Sequence, residues 1–220
     1  MTNPLPLSRR FAALLQREWL QHHRAWLILS ALPPLLMLLL LTLARMDISL
    51  DDGQAQRELA TLPATAVALL TIAAAAIGCF VLAWLSVLLQ APGLARRDLG
   101  DRSIEFWLSL PVGHTPALAA PLLAHFLLFP WAALAIGSVL GLALTPVSVA
   151  RFTSLGDWAA LPWGTLLAAS ASLVMRVALG LLLATVWLSP LILMAMAASA
   201  WLKRWGLPAL VGGLVVVGGV

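Results

Sequence analysis

The sequence predicts an all-α, polytopic helical membrane protein, and three observations carry that prediction. Of 220 residues, 62% are hydrophobic and only 10% are charged, against roughly 45–50% apolar and about 25% charged in ordinary soluble domains. So few charges cannot cover a water-soluble globule of this length, which excludes a soluble enzyme, a disordered regulator and a secreted disulfide scaffold. Four apolar runs also reach the roughly 18–20 residues that a helix needs to cross a hydrocarbon core of about 30 Å. Finally, the thirteen Lys and Arg residues fall unevenly between the connections on the two sides, as the positive-inside rule requires.

The N-terminal element comes first. Phe11, Leu14, Leu15 and Trp19 recur at helical spacing, opposite Arg10, Arg17 and Arg24. The pattern predicts an interfacial helix over 8–25, lying in the membrane surface; the plainer alternative is a solvated basic leader without fixed structure. A cleavable signal is excluded, because charges continue through Arg24 and no small-residue cleavage site closes the next run.

Transmembrane helices are predicted over 26–44, 64–90, 117–144 and 177–202. Pro33, Pro34, Pro121, Pro130 and Pro190 lie within them, where neighbouring helices can satisfy the freed carbonyls. A fifth apolar run, 207–220, amounts to about 21 Å of helix and is a partial span. Between 145 and 176, Arg151, Asp157, Pro162 and Gly164 exclude one continuous crossing. The stretch 166–175 is read as a re-entrant or interfacial helix, with Arg176 reaching for the headgroups. Two tightly turned spans within 165–202 would instead move Lys203 and Arg204 across, against the charge rule.

Placing the N-terminus in the cytoplasm leaves Arg9, Arg10, Arg17, Arg24, Arg96, Arg97, Arg102, Lys203 and Arg204 inside. Only Arg45, Arg57, Arg151 and Arg176 remain outside. The charge rule therefore predicts a cytoplasmic N-terminus. Trp158 and Trp163 then fall at the outer interface, and Trp201 and Trp205 at the inner one.

The cytoplasmic connection 91–116 carries a compact charge cluster, Arg96, Arg97, Asp98, Asp101, Arg102 and Glu105, followed by an apolar run that Pro111 ends. Asp101 is suited to cap a short helix over 101–110. Ile104, Trp107 and Leu108 would face the bilayer at helical spacing, with Arg102 and Glu105 toward the cytoplasm. Such a surface helix offers a docking edge to a soluble partner. The plainer reading is a loop whose charges only fix topology.

Over 96–112 the chain reads Arg-Arg-Asp-x-x-Asp-Arg-Ser-Ile-x-Phe-Trp-x-Ser-Leu-Pro-Val. This run resembles the cytoplasmic coupling loop of ABC-2-type transporter permeases. Arg17, Glu18 and Trp19 resemble the interfacial helix of that family, and Ser199, Ala200 and Trp201 with Lys203 and Arg204 its inner end of span four. The sequence departs from the family pattern at Glu105 and Gly113. The resemblance implies a permease subunit, an exporter rather than an importer, in the bacterial inner membrane. Its partners would be a separate ABC ATPase holding ATP and Mg, and a second permease in a homodimer or pseudo-dimer. Arg96, Arg97, Asp98, Asp101, Arg102, Glu105, Phe106 and Trp107 would couple it to the ATPase. Six spans are implied in full length, so the chain is expected to be C-terminally incomplete.

No covalent chemistry is expected of the chain itself. It lacks the G-x-x-x-x-G-K-[ST] phosphate cradle and the H-E-x-x-H zinc pattern. Adjacent His22 and His23 diverge by about 100° on a helix and are not a metal pair. His125 is read as an interhelical hydrogen-bond donor, with substrate or proton handling as the alternative. No catalytic, cofactor or metal residue is assigned. The alternative class is a non-transporting membrane scaffold that recruits a soluble partner through 91–115.

Overall fold

The structure, a computed structural model, describes residues 7–43, 62–94 and 114–202. Helix α1 spans Leu7–Leu43, α2 spans Ala64–Leu94 and α3 spans His114–Leu123. A π-helical segment, Ala124–Leu128, leads from α3 into α4, Phe129–Phe152. The short α5, Leu155–Ala159, precedes α6, Trp163–Leu202. No strand occurs among the described residues. Four stretches are long and apolar enough to cross a membrane: Ser8–Leu43, Ala64–Ala91, Leu118–Phe152 and Trp163–Leu202. The protein is an all-α, multi-pass membrane protein.

Two expected boundaries are corrected. The predicted interfacial helix 8–25 and the span 26–44 are one helix of 37 residues. Likewise, 166–175 is neither re-entrant nor a separate interfacial helix, because α6 runs unbroken for 40 residues. In both places an arginine, Arg24 or Arg176, stands where a break was expected. Arginine is a good helix former, and backbone hydrogen bonding continues whether side chains meet lipid or water. At 1.5 Å per residue, α6 is about 60 Å long, twice the hydrocarbon thickness.

The helices contribute to two compact units, each described by itself. One draws on the described residues of Met1–Arg24, Trp84–Phe129 and Leu181–Val220; the other on those of Ala25–Ala83 and Pro130–Gly180.

In the second unit, α2 and α4 meet through small residues. A Cβ placed on Gly137 would lie 2.7 Å from the Ala75 carbonyl oxygen, and one on Gly141 would lie 2.9 Å from the Ile72 Cα. Glycine is required at both positions by this approach, which substitutes van der Waals packing for the hydrophobic drive that lipid does not supply. The thiol of buried Cys79 donates to the Ser30 carbonyl across to α1 at 3.0 Å. Further along, Val67, Ala68, Ile72, Val149, Leu161 and Leu166 form an apolar cluster. Trp158 stands edge-on to Trp163 with centroids 5.4 Å apart, and its Nε1 donates to Thr145 Oγ1 at 3.0 Å. The turn between α4 and α6 is fixed by Ser154, whose Oγ accepts from the Asp157 N–H at the start of α5.

The buried hydroxyls of Thr71 and Ser148 lie 2.8 Å apart and link α2 to α4. Thr71→Val is expected to cost about 0.6–1.7 kcal/mol, the range of interhelical hydrogen bonds in membranes. Equilibrium unfolding in mixed micelles measures it; a variant as stable as the parent would show the bond to be idle.

Candidate functional site

The first unit contains the buried polar group that stands out. On α1, positions four residues apart form one row: Leu14, Glu18 and His22. All of these are buried except His22, which is partly so. A helix advances about 400° in four residues, so such a row stays on one face. Glu18 lies in that row and is 1% exposed. Trp19, expected on the apolar, membrane-facing side of the N-terminal helix, is 47% exposed, and the row buried within the protein passes through the carboxylate instead.

A buried carboxylate is costly unless partnered, and Glu18 has partners at both ring positions. His125 Nε2 lies 3.4 Å from Glu18 Oε2, and His22 Nδ1 lies 3.9 Å from the same oxygen. The two imidazoles stand edge to face with centroids 4.7 Å apart. His22 Nδ1 also lies 3.1 Å from the Glu18 backbone carbonyl. A carbonyl only accepts, so Nδ1 carries the proton there. His125 itself is fully buried.

The placement of His125 has a local cause. Pro130 lacks an N–H and its ring crowds the carbonyl four residues before it. The helix widens just upstream, and the Phe129 N–H reaches back to the Ala124 carbonyl. This π turn carries His125. Such single turns are frequent at functional sites. Chemically, the group can act as an electrostatic clamp between α1 and the π segment. It also offers three metal-ligating atoms within 4.8 Å of one another.

No known protein family, characterised protein or solved structure matches the chain. The assignment of a role therefore rests on its own residues.

Of the site residues expected from the sequence, Arg17, Glu18 and Trp19 are described, and only Glu18 enters the buried group. Arg96, Arg97, Asp98, Asp101, Arg102, Glu105, Phe106 and Trp107 lie outside the described residues, as do 207–220. Sequence reasoning missed the pairing of Glu18 with His22 and His125. One signal was present: Glu18 and His22 are four apart on a predicted helix, hence neighbours on its surface. His23, by contrast, turns to the Leu20 and Trp19 carbonyls at 3.0 and 3.2 Å and takes no part.

Proposed function

We propose that this chain is the permease subunit of an ATP-driven exporter, working with a separate ABC ATPase and a second permease. The observation that carries the reading is the 96–112 motif between two apolar helices, α2 ending at Leu94 and α3 beginning at His114. The start of α1 and the helix ends flanking the motif belong to the same compact unit. That supports one working end, carrying the N-terminus and the charged connection, which the charge rule assigns to the cytoplasm of a bacterial inner membrane. ATP-driven movement of the partner would tilt the 101–110 segment and so rearrange the spans. The chain supplies pathway and coupling, while nucleotide chemistry stays on the partner.

The test uses the full-length protein and a P-loop ATPase encoded beside it. Arg102→Ala with Glu105→Ala is expected to weaken the complex about thirtyfold or more, since truncating a paired charge at an interface costs at least about 2 kcal/mol. Stimulated ATP hydrolysis should fall with it. Unchanged assembly together with unchanged stimulation would sink the coupling role. Absence of any ATPase partner would favour the recruiting scaffold instead.

A further inference from the structure

We infer that Glu18, His22 and His125 bind one divalent transition-metal ion of the Zn2+ class. The inference does not depend on the transporter reading.

The donor set is two imidazoles and one carboxylate, a combination that suits zinc and its neighbours rather than Mg2+ or Ca2+. Zinc holds nitrogen and oxygen at about 2.0–2.2 Å in a tetrahedron, which sets the donors about 3.3 Å apart. His125 Nε2 and Glu18 Oε2 are 3.4 Å apart. All three donors already lie within 4.8 Å, so closure on an ion needs movements of about 1.5 Å or less. Side-chain rotation supplies that without moving a helix.

The surroundings fit as well. His22 keeps its Nδ1–H on the Glu18 carbonyl, the outer contact that metal-binding imidazoles ordinarily make to fix tautomer and orientation. Glu18 and His125 are closed off from solvent, whereas the His22 side chain is 22% exposed and marks the entry side. A cation there adds to the partners that a buried carboxylate requires. Three protein ligands leave a fourth position for water or a small anion. The ion would join the N-terminal part of α1 to the π segment, elements more than a hundred residues apart in sequence.

The experiment takes the full-length protein in nanodiscs, stripped with chelator and titrated with Zn2+ alone, then with Co2+ as a spectroscopic probe. One equivalent per chain is expected, with a raised melting temperature and the visible absorption of tetrahedral cobalt. Glu18→Gln, His22→Gln and His125→Gln should each weaken binding beyond the roughly 10- to 100-fold that loss of an outer contact costs. The partly exposed His22 makes His22→Gln the variant that keeps its fold if His125→Gln does not. His23→Gln should bind as the parent does. No stoichiometric uptake would overturn the site. So would uptake undiminished in His22→Gln, or a loss in His23→Gln as large as in His22→Gln.

Discussion

Gly137→Leu is expected to abolish the native packing of α2 on α4, and even Gly137→Ala should cost about 1–3 kcal/mol, the usual range for overpacking. The reason is that nothing near the added atoms can yield. A Cβ at Gly137 meets the Ala75 carbonyl oxygen at 2.7 Å and the Ala76 Cα at 2.9 Å, both backbone atoms of a continuous helix. Relief requires α2 and α4 to separate along their contact, which also pulls apart the Gly141 approach and the Thr71–Ser148 link. The loss from leucine exceeds that from alanine and approaches the whole of a marginal stability of about 5–15 kcal/mol. Gly180 provides the contrast, because a Cβ there meets nothing within 4 Å. Gly180→Ala should stabilise by about 0.5–1 kcal/mol through helix propensity. Thermal melting and size-exclusion profiles in detergent check both. A monodisperse Gly137→Leu protein melting with the parent would refute the contact.

Removing one member of the Glu18–His125 pair is expected to cost about 3 kcal/mol, because a buried group is left facing the gap. His125→Leu deprives the Glu18 carboxylate of its nearer imidazole; Glu18→Leu deprives His125 of the carboxylate 3.4 Å from its Nε2. The double variant Glu18→Leu/His125→Leu should be little worse than either single one, since the pair is then replaced by apolar side chains of similar size. Equilibrium unfolding with chelator present should give a coupling of about 1–3 kcal/mol. Strict additivity would show that the two groups do not interact. Chelator keeps this cycle independent of any bound ion.

The class of fold was legible in the sequence because bilayer thickness is written into it as run length. All four crossing segments coincide with apolar runs. Helix ends were not legible. Hydropathy marks where a helix leaves the hydrocarbon, not where its backbone ceases to hydrogen-bond, so Arg24 and Arg176 looked like boundaries and are not. The buried row on α1 was half legible: the four-residue spacing runs through Leu14, Glu18 and His22, yet a carboxylate reads as surface until its partner is known. That partner, His125, sits more than a hundred residues along the chain, in a turn widened ahead of Pro130. Periodicity along one helix holds no information about which residue of another helix it will meet.

Cys79 gives the molecule a practical property. It is the only cysteine in the chain, and it is fully buried with its thiol held on a backbone carbonyl. Reagents and oxidants that need an accessible thiolate find none on the folded protein. Fluorophores, spin labels and cross-linkers can therefore be placed at chosen positions of the natural sequence. The native thiol need not first be removed, so the contact it makes with α1 stays intact under the label.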